Sequence, residues 1–346
     1  MPVLEKLVPQ LVGWQSLTGQ QILAAVEELI DEKVPVTAKA DFLAALAQKG
    51  ETSDEITAFA RALREKSISP PLDAETRSRE ILDVVGTGGD RLSTFNISTT
   101  VAILCAAGGV TVAKHGNRAV TSSVGSADVV EELGIKVDLS PAAAAQALRQ
   151  HGFVFFFAPH FHPAFKHIAP ARKLCAERGQ RTIFNILGPL LNPARPSAML
   201  VGVPRPELCE PMARALQSLG VRRGMVVCGL AEGKNLDELS TLGVNHVAEF
   251  YQERGFSVSS LSPEMFPRQP ATLADLRGGD KVVNAEIIRR IFRGEERGPK
   301  RDAVLLNAAA ALLVAGQTKS LAEGWDLAGR IIDRGQADAK LGELAR

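Results

Sequence analysis

The run Asp83-Val84-Val85-Gly86-Thr87-Gly88-Gly89-Asp90 carries an apolar segment straight into a glycine cluster. A polar stretch with Asn96, Ser98 and Thr99 follows, and then the apolar run 101–107. This order predicts strand, loop and helix start. Glycines let backbone approach a ligand closely and reach positive φ without strain. The N–H groups of such a loop, with a helix N-terminus behind it, make an anion site. The same pattern also serves ordinary strand–helix turns, so its neighbours decide the reading. A short β-like run, 110–113, leads into Lys114-His115-Gly116-Asn117-Arg118. Thr121-Ser122-Ser123 and the helix-opening Gly125-Ser126-Ala127-Asp128 come next. A second basic, hydroxyl-rich loop one βα unit later can face the first at the C-terminal edge of a parallel sheet, where α/β proteins bind ligands. Two such loops point to a ligand with more than one phosphate.

Asp237 and Glu238 are adjacent carboxylates after Gly233-Lys234-Asn235-Leu236. Mg²⁺ takes one or two carboxylates and completes its octahedron with water and substrate phosphate; Ser98 offers a further oxygen. A solvated acidic pair is the plainer reading, and the glycine loops are the reason to prefer metal. His115, His160, His162 and His167 form a visible group, but a zinc site wants fixed spacing with further ligands, so they are read as structural. Arg172, after Pro170 in a helical stretch, suits bidentate recognition of a carboxylate and equally a surface ion pair. The sequence has no nucleophile elbow and no Walker lysine motif.

These groups need a scaffold, and the composition supplies one. The 346 residues are 45% hydrophobic and 23% charged, enough for a large core and two domains. Forty basic residues against 39 acidic ones leave a net charge of +1, without the basic excess of a nucleic-acid binder. Aromatics at 5% give little for base stacking. Cys105, Cys175, Cys209 and Cys228 are scattered without C-x-x-C spacing, as expected for buried thiols in a reducing compartment. No signal peptide or membrane span is read, and a cytoplasmic location is expected.

Residues 1–72 read as a small all-helical domain, with Thr18 and Thr37 as helix caps, Gly50 as a stop and Ser53-Asp54-Glu55 opening a helix. Pro70-Pro71 begins a linker. From 81 the pattern alternates: strands at 81–85, 110–113, 152–158, 198–203 and 224–228, with helices at 98–107, 126–133, 142–150 and 207–219. This predicts an α/β domain over 73–346 with a central, mainly parallel sheet. The stretch 159–196 breaks the rhythm and is expected to leave the sheet and pack on the N-terminal helices. The C-terminal part reads as helical, at 284–293, 302–315 and 321–334.

Taken together, the motifs resemble the anthranilate phosphoribosyltransferases along the whole chain. The marks are Gly86-Thr87-Gly88-Gly89-Asp90, Asn96-Ile97-Ser98-Thr99, Lys114 to Arg118, and Phe157-Ala158-Pro159 with His162-Pro163-Ala164. The stretch 181–189, Leu236-Asp237-Glu238 and the stretch 302–311 complete the set. The resemblance implies the nucleoside phosphorylase/phosphoribosyltransferase type of fold, a homodimer, and Mg²⁺-dependent transfer of phosphoribose from 5-phosphoribosyl 1-diphosphate (PRPP) to the amino group of anthranilate. It implies PRPP contacts from Gly86, Gly89, Asp90, Thr94, Asn96, Ile97, Ser98 and Thr99. Further PRPP contacts are implied from Lys114, His115, Gly116, Asn117, Arg118, Ala119, Val120, Thr121, Ser122 and Ser126. Mg²⁺ ligands are implied at Ser98, Asp237 and Glu238, and anthranilate contacts at Gly86, Asn117 and Arg172. No residue is assigned as an acid–base catalyst.

Three positions depart from the family pattern. Arg91 stands where glycine is common, Ser123-Val124 replaces a pair often ending in serine, and the segment from Arg172 to Arg181 is longer than usual. Three other readings stay open on sequence: a pyrimidine nucleoside phosphorylase of the same fold, a phosphoribosyltransferase with another aromatic acceptor, and a non-catalytic nucleic-acid-binding relative.

Overall fold

A computed structural model describes residues 2–118, 124–252 and 254–346. The chain opens with four helices, α1 (Val3–Val12), α2 (Gly19–Ile30), α3 (Val36–Lys49) and α4 (Ser53–Glu65), followed by the short α5 (Ala74–Ser78). Thr18 caps α2: its hydroxyl accepts the Gln21 N–H, and the Gln21 side chain answers the Thr18 N–H. Thr52 and Glu55 form the same box on α4. Thr37 does not cap α3. The helix begins one residue earlier, at Val36, with Pro35 at the cap position and no side chain capping it. Gly50 ends α3 at φ 83°.

The α/β part runs β1 (Ile81–Gly86), α6 (Ile97–Ala107), β2 (Thr111–Gly116), α7 (Ser126–Glu132), α8 (Pro141–His151) and β3 (Phe153–Phe157). The excursion holds α9 (Ala158–Phe161) and α10 (Ala169–Glu177). Then come β4 (Ala198–Gly202), α11 (Cys209–Ser218), β5 (Arg223–Ala231), β6 (Lys234–Leu236), β7 (Asn245–Tyr251) and β8 (Gly255–Leu261). Four helices close the chain: α12 (Lys281–Phe292), α13 (Pro299–Val314), α14 (Leu321–Asp333) and α15 (Gln336–Leu344). The sheet order is β3-β2-β1-β4-β5-β7-β8, with β6 beside β5. Strands β3, β2, β1, β4 and β5 are parallel, and the β5–β6, β5–β7 and β7–β8 pairs are antiparallel.

The three C-terminal helices stand close to where the sequence places them. Between 228 and that helical part, the sequence reading has no counterpart for the antiparallel edge β6–β8. The β8 strand is largely exposed, so it lacks the apolar run that betrays a buried parallel strand. One expectation needs correction. Lys114, His115 and Gly116 are not loop: they continue β2, in register with Phe155, Phe156 and Phe157. A lysine is tolerated in that central strand because its ammonium donates to the Val84 carbonyl at 2.7 Å.

The two faces of the sheet bury different cores. Leu82, Val84, Leu200 and Val227 point to α6 and α13. Met199, Val201, Val226 and Phe250 point the other way, into a core shared with α11 and with Leu4, Ile22, Phe42 and Phe59 of α1–α4. Ile168, Ala171 and Cys175 of α10, and Ile183 and Leu187 after it, lie in that second core. This alternation fixes register and leaves every strand C-terminus of the parallel set on one edge.

Candidate active site

Those C-terminal ends carry the sequence-predicted residues. Thr87 continues the β1–β4 ladder, donating its N–H to the Gly202 carbonyl at 2.9 Å. The loop then turns through positive φ at Gly88 (75°) and Gly89 (90°). The Asp237-Glu238 segment lies directly over this edge. Gly88 N–H donates to Asp237 Oδ2 at 2.7 Å, and Ser98 N–H, in the first turn of α6, donates to Glu238 Oε1 at 3.2 Å. A carboxylate at a helix N-terminus gains from the helix dipole. Lys114 Nζ reaches Ser98 Oγ at 3.4 Å. Two glycines make this approach sterically allowed. A Cβ on Gly86 would sit 2.3 Å from Asp237 Oδ2, and one on Gly202 would sit 1.5 Å from the Asp237 carbonyl.

The carboxylates are crowded. Loss of hydration raises Asp237, and the neighbouring charges of Asp90 and Glu238 raise it further. Glu238 is also raised by lost hydration, against the pull of Lys114. Asp90 Oδ2 is buried without a hydrogen-bond partner. Among the described residues no three His, Cys, Asp or Glu side chains form a ready-made metal cage. The arrangement therefore fits a divalent cation held by one or two carboxylates that draws its other ligands from phosphate and water. It does not fit a closed structural site.

Behind Lys114 lies a buried polar network. Asp83 is raised to about 6 by burial, opposed by the Lys114 charge. Its carboxylate accepts from Asn192 Nδ2 at 2.8 Å and from the His115 N–H at 3.4 Å. The Lys114 ammonium loses hydration, which lowers its pKa, while Asp83 and Glu238 favour its charged form.

The other predicted residues are distributed as follows. Gly116 ends β2, where a Cβ would meet Ser126 Oγ at 2.3 Å, and Ser126 Oγ donates to the Asn117 carbonyl at 3.4 Å. Asn96 stands at the start of α6, where its side chain accepts from Asn284 Nδ2 at 2.9 Å. Ile97 and Thr99 are buried in the first turn of α6, and Thr94 bridges to Arg277. Arg118 is turned to Glu131, at 2.6 and 2.7 Å, and to Asp128. Ala119, Val120, Thr121 and Ser122 lie outside the described residues. Arg172, on α10, has its guanidinium 5.6 Å from the Phe184 ring, where burial lowers its pKa. From there an aromatic path runs through Phe165 and His162 to His115, with centroids 5.7, 5.1 and 5.3 Å apart. Burial depresses His115 to about 3 and His162 to about 4, so both are neutral at pH 7. Nε2 of His115 and both ring nitrogens of His162 lack hydrogen-bond partners. An apolar wall ending in an arginine matches an aromatic acid.

Sequence reasoning missed the residues that hold the carboxylate segment. Asn307 of α13, fully buried, accepts the Leu239 N–H and donates to the Leu239 carbonyl, both at 2.9 Å. Asn245 accepts the Ser240 N–H at 2.6 Å and donates back to the Ser240 carbonyl at 3.0 Å. The available signal for Asn307 was an amide inside the alanine-rich run of α13, where an unpaired polar group would be costly. Arg181, quoted only as part of a motif, donates to the Gly89 carbonyl at 3.2 Å and so holds the glycine loop.

Comparison with known proteins follows the same division of the chain. Residues 1–67 match the glycosyl transferase family helical bundle domain, and residues 78–338 match the glycosyl transferase family a/b domain. An anthranilate phosphoribosyltransferase from Geobacter sulfurreducens is 44% identical, over 99% of this chain and 98% of its own. The crystal structure of the Thermus thermophilus anthranilate phosphoribosyltransferase superposes with a TM-score of 0.88 at 42% identity, covering 100% of this chain and 98% of that one. The Saccharomyces cerevisiae enzyme in complex with PRPP and Mg superposes with a TM-score of 0.86 at 26% identity, covering 99% and 96%.

Proposed function

The chain belongs to the anthranilate phosphoribosyltransferase family, and from that premise we propose how its own residues carry the reaction. It transfers the 5-phosphoribosyl group of PRPP to the amino group of anthranilate, giving N-(5-phosphoribosyl)anthranilate and diphosphate in tryptophan biosynthesis. The observation that carries the site assignment is the meeting of Asp237 and Glu238 with the Gly88 and Ser98 N–H groups at one sheet edge.

In this reading Asp237 and Glu238, with Ser98, hold Mg²⁺. Bound there, the ion supplies positive charge to a departing diphosphate. Lys114 and the N-terminus of α6 face the same charge, which grows as the C1–O bond lengthens, so they stabilise the transition state more than the ground state. Gly86, Gly89, Asp90, Thr94, Asn96 and Thr99 line the PRPP side together with the 114–122 segment and Ser126. Arg172, with Gly86 and Asn117, receives anthranilate against the Phe165–Phe184 wall. The aromatic amine is already a nucleophile and needs no strong base, and the buried His115 and His162, neutral at pH 7, are packing groups behind the aromatic wall. Positioning supplies much of the rate.

We assign 1–72, joined by part of 159–196, as the small helical domain and the rest of 73–346 as the large α/β domain that carries the PRPP and metal sites. A homodimer is supported by Val12, Trp14 and Leu23, exposed on or beside the first two helices. No helix among the described residues is long and apolar enough to cross a membrane. The four free, buried cysteines suit a cytoplasmic location.

The activity test follows the loss of anthranilate fluorescence on mixing with PRPP, with and without Mg²⁺. Signal loss only when all three are present is the expected result, and none with all three overturns the reading. Arg172→Ala should raise the anthranilate KM by about 10- to 100-fold, the value of a charged hydrogen-bonded contact, and leave the PRPP KM within a few-fold. Steady-state kinetics read both, and an unchanged anthranilate KM removes Arg172 from the acceptor site.

A further inference from the structure

Beside the carboxylate segment, on the outer side of the glycine loop, lies a cavity of about 390 Å³. Its walls include Gly89 and Asp90, and four cationic side chains: Arg91, Arg181, Arg205 and Lys234. Arg91 and Lys234 make no ion pair among the described residues, and Arg181 spends one N–H on the Gly89 carbonyl. Only Arg205 has a carboxylate beside it, Glu207 at 3.5 Å. Arg91 also holds an unfavourable backbone position, φ 61°, which glycine would adopt at lower cost. A strained arginine facing three other cations across an open cavity is not explained by folding. Like charges brought together cost free energy unless an anion joins them.

We propose that this cavity is a second anion site, which takes a diphosphate group after it leaves the metal side. Gly89 and Asp90 line the cavity while Asp90 also acts on Asp237, so the two places are contiguous. With Arg205 offset by Glu207, the three other cations still outweigh the single charge of Asp90, and a diphosphate is the multiply charged species formed next door. The identity of that anion rests on the phosphoribosyl-transfer reading; the existence of an anion site does not. The cations are exposed, so binding is weak and salt-sensitive.

The test titrates inorganic diphosphate into the full-length protein by calorimetry at low ionic strength, with a parallel titration of PRPP. Two diphosphate events per subunit are expected in the natural sequence. In Arg91→Gly/Lys234→Gln the weaker event should fall by roughly tenfold or more while the tighter one stays. Arg91→Gly relieves a strained φ, so misfolding does not account for the loss, and circular dichroism checks it. Kinetically, diphosphate should inhibit in mixed fashion against PRPP in the natural sequence and purely competitively in the variant. PRPP filling both events would assign the site to the incoming substrate's diphosphate arm and overturn the product-holding role. A single event in the natural sequence, or a second event untouched by the variant, overturns the site itself. Two events in a protein that does not consume anthranilate would keep the anion site and reject the activity.

Discussion

Asp237→Asn should lower Mg²⁺-dependent kcat/KM by about 10³-fold, the scale on which a metal-held or oxyanion-stabilising contact acts. The substitution keeps the shape and one acceptor for the Gly88 N–H, so it removes charge and little else. Its effect on stability should have the opposite sign. Lost hydration and the charges of Asp90 and Glu238 raise the folded-state pKa of Asp237 above its ordinary value. A raised carboxyl binds protons in the folded state at pH values where the unfolded chain has released them. Stability therefore falls as pH rises through that range, and at pH 7 the charged form is a liability. Without Mg²⁺ the variant should melt no lower than the natural sequence, and higher if the repulsion dominates. Mg²⁺ should raise the melting temperature of the natural sequence and leave the variant nearly unmoved. Turnover within a few-fold of normal, with Mg²⁺ protection intact, would exclude Asp237 from the metal site.

That site was largely legible from residue types, for a physical reason. Glycines, adjacent carboxylates and a lysine after a strand each have few structural uses, so their order along the chain is informative. The parallel strands were legible because both of their faces are buried and they read as unbroken apolar runs. The β6–β8 edge was not, because β8, Gly-Phe-Ser-Val-Ser-Ser-Leu, buries little on either face. The supporting shell was also hidden. Asn307 lies 68 residues from the Leu239 backbone it grips, and Asn192 lies 109 residues from Asp83. Neither pairing has a local pattern, since only the packed fold brings them together. Gly202 was the least visible of all, as its role is to have no side chain where another segment passes.

Gly202 carries the second large effect. Its φ is not in the left-handed region, so alanine is acceptable to its own backbone. The obstacle is entirely the neighbour: a Cβ would lie 1.5 Å from the Asp237 carbonyl oxygen and 3.1 Å from the Glu238 nitrogen. The carboxylate segment cannot yield freely. Asn307 holds Leu239 from one side, Asn245 holds Ser240 from another, and a Cβ on Gly229 would already meet the Glu238 carbonyl at 2.6 Å. With its far end pinned, the segment must lift or tilt at Asp237 and Glu238 themselves, by an ångström or more. A displacement of that size at a reacting centre costs about 10²-fold in rate, and overpacking costs about 1–3 kcal/mol in stability. Gly202→Ala should therefore fold, with unchanged circular dichroism, and lose about two orders of magnitude in kcat/KM together with much of its response to Mg²⁺. Gly342→Ala, in α15 with open space around the added carbon, is the matched control and should keep full activity. If Gly202→Ala turns over normally with the natural Mg²⁺ dependence, the position of the 237–238 segment over the sheet edge does not control the reaction.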